Sequence, residues 1–156
     1  MDEYWLEIAS PIGRLLLFGT NGSVTRVDLP ANGDRPPGVP RPNAVLRRAE
    51  QQIAEYFAGR RRDFDLPIAP VGTDFQIRVW NALQTIPYGH TRSYSELAES
   101  VCNPQAARAV GSACAHNPLP IVIPCHRVVG ADGRLTGFGG GLPVKKWLLE
   151  HESEHA

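Results

Sequence analysis

The chain has 156 residues, 42% of them hydrophobic and 21% charged, with a formal net charge of zero. That is the make-up of a globular chain of one domain or two small ones. The zero net charge gives no direct sign of nucleic-acid binding, and no apolar run approaches the ~20 residues of a membrane-spanning helix. The three cysteines, Cys102, Cys114 and Cys125, are too few and too scattered for a disulfide framework or a CxxC metal site. The start Met1-Asp2-Glu3 lacks the basic and apolar regions of a signal peptide, so a cytoplasmic location and reduced thiols are expected.

The first thirty residues predict a three-stranded meander. Strands over 4–9 and 14–18 flank the turn Ser10-Pro11-Ile12-Gly13, and Asn21-Gly22 marks a hairpin leading into a strand over 24–29. Residues 30–42 are rich in Pro, Gly and Asn and predict an irregular connection. Asn43 then caps a helix with Val45, Leu46, Ala49, Ile53, Tyr56 and Phe57 on one face and Gly59 at its end. Arg60-Arg61-Arg62 reads as a solvated helix end, and 64–66 as a short strand. Pro67, Pro70 and Gly72 mark a boundary, giving an N-terminal domain over 1–71 and a C-terminal domain over 72–156.

Beyond the boundary the pattern turns helical. Thr73 with Gln76 and Ser93 with Glu96 have the form of capping boxes. The first opens a helix carrying Phe75, Val79, Trp80 and Leu83; the second opens one over 94–101. Cys102-Asn103-Pro104 is a turn, and 105–115 a helix of small residues, so the pair is a helix-turn-helix candidate. Seven basic residues face four acidic ones between Gly72 and Leu149, a modest bias that fits moderate, salt-dependent DNA affinity. The Gly-rich stretch 137–141 lacks the pattern of a phosphate-binding loop. Pro143 suits the first turn of a last helix through Trp147, Leu148 and Leu149.

The stretch 121–129, Ile-Val-Ile-Pro-Cys-His-Arg-Val-Val, reads as a buried strand ending in a rigid turn. Cys125 lies directly beside a base, His126. A thiol becomes a strong nucleophile once a base or a positive charge makes the thiolate accessible. The competing reading is a packed structural cysteine, because free Cys is among the most buried residue types.

Several separated segments resolve that contest. Thr73-Asp74-Phe75-Gln76, Val79-Trp80, Ile86-Pro87-Tyr88-Gly89, Ser93-Tyr94, Ala106-Ala107-Arg108-Ala109-Val110-Gly111, His116-Asn117-Pro118, Pro124-Cys125-His126-Arg127-Val128 and Gly139-Gly140-Gly141 occur in this order. The chain closely resembles the O6-alkylguanine-DNA alkyltransferases, or methylated-DNA–protein-cysteine methyltransferases, densely from Thr73 to Glu152 and more weakly before. The resemblance implies an α+β fold, with an N-terminal antiparallel sheet and helix joined to a mainly helical, winged-helix-like domain that holds the helix-turn-helix and the reactive cysteine. It implies transfer of an alkyl group from O6 of guanine in duplex DNA to Cys125, irreversibly and once per molecule, with no metal and no cofactor. By the same resemblance His126 is the general base, acting through water, Glu152 orients it, Asn117 braces the turn, and Tyr94 donates to guanine N3. Arg108 takes the place of the flipped base. Tyr94, Ala107, Gly111, Ser93 and Arg127 belong to the DNA-binding face, and Phe138, Gly139 and Gly140 to the substrate pocket.

The expected partner is double-stranded DNA bearing O6-alkylguanine, with O4-alkylthymine a further candidate lesion, bound by a monomer that could act cooperatively on DNA. Two features depart from the family pattern. Phe138 stands where many members carry tyrosine, and Cys114 where some carry a larger residue. Relatives with a structural zinc hold it in the N-terminal domain, but no cysteine precedes Cys102 here, so no metal site is expected. A lesion-binding protein without transfer is the first alternative, disfavoured because its members replace the cysteine; a cysteine hydrolase is the second.

Overall fold

The computed structural model describes residues 3–156; Met1 and Asp2, part of the acidic start, lie outside the described residues. Three antiparallel strands, β1 (Tyr4–Ile8), β2 (Leu15–Gly19) and β3 (Val24–Asp28), form a meander in sequence order. Side chains alternate across a strand. Pairing Trp5 with Phe18 and Leu6 with Leu17 therefore sorts Trp5, Leu16 and Phe18 to one face, and Leu6, Ile8, Leu15 and Leu17 to the main core. The Arg26 guanidinium covers the outer cluster, 3.8 Å from the Phe18 ring centre.

Helix α1 (Ala44–Phe57) packs on the core face through Leu46, Ala49, Ile53 and Tyr56. Asn43 sets its start twice over: its Oδ1 accepts from Leu46 N at 3.0 Å, and its Nδ2 donates to Thr20 O at 2.8 Å, tying the helix to the sheet. Its end is a Schellman turn, with Gly59 N on Tyr56 O, Arg60 N on Glu55 O, and Gly59 at φ +76°.

The strand expected over 64–66 is absent. Gln52 reaches from α1 and takes both backbone groups of Asp65, Nε2 donating to its O at 3.0 Å and Oε1 accepting from its N at 2.9 Å. That stretch therefore belongs to the helix. The sheet is met only at Ile68, which bridges Val24 beside Pro67 and before Pro70.

The C-terminal part holds α2 (Asp74–Leu83), α3 (Tyr94–Val101), α4 (Ala107–Ala115) and α5 (Leu142–Glu154). Both capping boxes form, at Thr73 with Gln76 and at Ser93 with Glu96. The helix expected over 105–115 instead opens with a 3₁₀ turn over Pro104–Ala106, because Asn103 caps Gln105 N and Pro104 has no N–H to give. The strand expected over 121–129 is also replaced. Ile121 adopts φ +76°, Pro124 cannot join a ladder, and Cys125–Arg127 form a 3₁₀ turn. Only β5 (Val128–Val129) remains extended, pairing in parallel with β4 (Arg92–Ser93) at the mouth of α3. Helix α5 runs past Leu149, so His151 and Glu152 lie on a helix and not in a solvated tail.

One buried core runs from the sheet through α1 into α2, α3 and α4. Trp80 is its largest fully buried side chain, and its Nε1–H donates to Ala113 O at 2.9 Å, joining α2 to α4. Replacing Trp80 with Phe removes ring volume and the indole hydrogen bond to Ala113 O, which keeps only His116 N at 3.2 Å. It should lower unfolding free energy by about 2–4 kcal/mol, seen as a lower urea midpoint at unchanged slope.

Candidate active site

The turn at Cys125–Arg127 is held from behind by Asn117. Its Nδ2 donates to Ile123 O at 2.8 Å while its Oδ1 accepts from Leu119 N at 2.9 Å, so one amide staples both sides of the loop. Cys125 is 7% exposed. Burial pushes its thiol up; the Asn117 amide and the Lys145 charge favour the thiolate and act the other way.

His126 follows with its ring fully enclosed. Its Nε2 lies 2.6 Å from Glu152 Oε2, while Nδ1 is buried without a hydrogen-bond partner among the described residues. A carboxylate only accepts, so Nε2 carries the proton and Nδ1 presents a lone pair. Burial is the main influence on the imidazole and lowers its affinity for a second proton, against the pull of Glu152.

Glu152 is 1% exposed and comes from α5. Its Oε1 accepts from Arg127 Nε at 2.8 Å; its Oε2 accepts from Arg127 Nη2 at 3.1 Å and from Tyr56 Oη at 2.6 Å. Burial pushes its carboxyl up, but the His126 and Arg127 contacts together outweigh that and hold it well below the usual carboxylate range.

Arg127, expected on the DNA face, is instead 5% exposed and points inward. Its third contact is Nη1 to Ile86 O at 2.7 Å. A guanidinium enclosed in this way and bound to Glu152 and Ile86 is directed away from a phosphate at the surface.

The other expected residues gather around two connected spaces. A groove of ≈ 680 Å³ is lined by Tyr94, Ala107, Arg108, Gly111, Phe138 and Gly139 among others. A cavity of ≈ 30 Å³ lies deeper, bounded by Cys125, Cys114, Asn117, Phe138, Gly139 and Gly140, together with Leu29 and Asn32 from the N-terminal part. Phe138 and Gly139 border both spaces. Gly140 is required by close approach, since a Cβ there would meet Leu29 Cδ1 at 2.4 Å. Ser93 lines neither space and caps α3, its Oγ accepting from Glu96 N at 3.1 Å. Arg108 is exposed.

Three residues of the site carry no signal that sequence reasoning used. Tyr56 shows only a helical core position. Lys145, read as one of the excess cations, is 1% exposed, with Nζ donating to Val128 O at 2.6 Å and Thr136 O at 3.2 Å. Burial lowers its proton affinity, with the cysteines Cys125 and Cys114 opposing that change. Thr136 Oγ1 donates to Tyr94 Oη at 2.9 Å, which fixes the phenol at the groove. Cys114 is pushed up to about 12, first by burial and then by the nearby Cys125.

Comparison with known proteins places this geometry. Residues 74–154 match the model of the 6-O-methylguanine DNA methyltransferase DNA-binding domain, and residues 4–70 that of the same family's ribonuclease-like domain. A methylated-DNA–protein-cysteine methyltransferase of Mycolicibacterium paratuberculosis is 49% identical over 159 residues, covering 100% of this chain and 95% of that protein. One of Methanosarcina acetivorans is 45% identical over 153 residues, covering 96% and 97%. The crystal structure of Mycobacterium tuberculosis OGT in complex with DNA superposes with a TM-score of 0.91 at 48% identity, covering 98% of this chain and 94% of that one. Matched along nearly its whole length, the chain belongs to the methylated-DNA–protein-cysteine methyltransferase family.

Proposed function

We propose that the protein repairs O6-alkylguanine in duplex DNA by moving the alkyl group to Cys125 in a single, irreversible event. The observation that carries this reading is the enclosed Cys125, braced by Asn117, beside a histidine whose free lone pair and ordered carboxylate suit proton removal. The Cys125 proton passes to His126 Nδ1 through a water molecule. The sulfur attacks the alkyl carbon, a C–S bond forms, and the C–O6 bond breaks with its electron pair going to guanine. Tyr94 donates to guanine N3 and offsets the charge that develops there. The thioether is not readily cleaved, so the protein is spent.

Reaching a base inside a duplex requires flipping it. Arg108, exposed at the groove, is suited to fill the vacated stack, and the small residues Ala107 and Gly111 suit close approach to the minor groove. The relative crystallised with DNA supports DNA as the partner. The groove fits the flipped base and the inner cavity its alkyl group. With ≈ 30 Å³ beside the sulfur, there is room for about two water-sized groups.

Three outcomes are expected. Cys125→Ser abolishes methyl gain by intact mass after incubation with O6-methylguanine duplex, yet binds that duplex within about threefold of wild type; equal transfer by the variant sinks the assignment. Arg108→Ala slows repair of duplex DNA by roughly tenfold or more while leaving reaction with the free modified base nearly unchanged, and equal loss on both substrates contradicts a flipping role. O6-methylguanine reacts faster than O6-benzylguanine by at least about tenfold in single-turnover assays; a preference for the benzyl group would show that the inner cavity does not receive the alkyl group.

A further inference from the structure

We propose that Tyr56, on α1, is a positioning residue for this transfer: by donating to Glu152 it limits how strongly that carboxylate holds a proton on His126. The inference rests on the alkyl-transfer reading above. It starts from a crowded oxygen. Oε2 of Glu152 receives Tyr56 Oη at 2.6 Å, His126 Nε2 at 2.6 Å and Arg127 Nη2 at 3.1 Å. Each donor draws charge from the oxygen and so weakens its attraction for the others.

Consider the carboxylate with His126 as its one neighbour. In a buried site it would stabilise the imidazolium strongly, and a base already protonated at neutral pH accepts nothing. Consider it instead with its charge divided among Tyr56, Arg127 and His126. It still fixes the tautomer through Nε2–H, but leaves Nδ1 a free lone pair near neutrality. The groups facing His126 act in both directions. Arg127 on its own turn and Lys145 from α5 disfavour a second positive charge, Glu152 from α5 favours it, and Tyr56 from α1 moderates Glu152.

Tyr56 is built to hold this position. It is fully buried, its ring packs against Phe57, Phe64, Tyr88 and His151 at centroid distances of 5.3, 5.6, 6.1 and 5.3 Å, and its carbonyl accepts from His151 Nε2 at 2.8 Å. Burial, then the adjacent Glu152, pushes the phenol far above its ordinary range, so it stays a donor at any working pH. A packing role alone would need the ring and not the hydroxyl.

The test is the pH profile of methyl transfer from O6-methylguanine duplex by the full chain and its Tyr56→Phe variant, with thermal midpoints measured beside it. The acid limb of the variant should move to higher pH by on the order of one unit, with rates converging on wild type above the limb. An unmoved limb overturns the proposal, whatever happens to the rate or the midpoint. Should Tyr56→Phe fail to fold, 3-fluorotyrosine placed at position 56 alone is a stronger donor and should move the limb down; an unmoved limb overturns the proposal equally. If wild type transfers no methyl at any pH, the alkyl-transfer reading fails on its own. The ¹⁵N titration of His126 then decides for Tyr56: a higher midpoint in the variant supports it, and equal midpoints refute it.

Discussion

The Glu152 carboxylate carries its charge where water no longer stabilises it, and its burial is tolerable only because hydrogen bonds from Tyr56, His126 and Arg127 converge on it. Those donors come from α1 and from the turn at the cysteine, while the acid itself comes from α5. One charge thus clamps three stretches of chain far apart in sequence. A buried ion pair of this kind adds little net stability over an apolar filling of the same shape. Its effect lies in exactness of placement: a single arrangement satisfies every donor, so the imidazole has one orientation and one tautomer.

On the proposed role of Cys125, that arrangement is what would let an enclosed thiol act as a nucleophile. Desolvation favours the neutral form of Cys125, and a side chain 7% exposed feels it strongly. The compensations are local and directional: the Asn117 amide, the Lys145 charge, and a neutral imidazole as proton acceptor. Lys145 is itself enclosed, which removes the water that would otherwise screen its charge from the sulfur. Cys114 borders the same cavity, and burial pushes its thiol up too, with the nearby Cys125 adding to that and the Lys145 charge opposing it.

Local signals in the sequence reported local structure well. Asn43, Thr73 with Gln76, and Ser93 with Glu96 each name a helix start through contacts within a few residues, and all three form. The apolar periodicity of α1 marks its buried face in the same way. The failures are long-range. Residues 121–129 have β-branched composition, yet Asn117, the backbone at Ile121 and Pro124 fold them into a turn. Residues 64–66 look extended, yet Gln52 takes the backbone groups a ladder would use. Arg127 and Lys145 read as surface cations, because burial of a charge depends on partners tens of residues distant. Cys125, His126, Glu152 and Asn117 were legible through family resemblance, whereas Tyr56 shows nothing in sequence beyond a helical core position.

The ladder between Arg92–Ser93 and Val128–Val129 is only two residues long, but it joins the first residues of α3 to the segment leaving the cysteine turn. On one side of it stands Tyr94, latched by Thr136; on the other stands the turn bearing Cys125. The span between the phenol and the sulfur is thereby fixed by main-chain geometry before any partner arrives. On the proposed reading, a base seated against Tyr94 would meet Cys125 at a preset separation, much as a workpiece pushed to a stop meets the tool. The loss of freedom that a two-body reaction normally suffers at the moment of encounter has been moved into the folding of the chain.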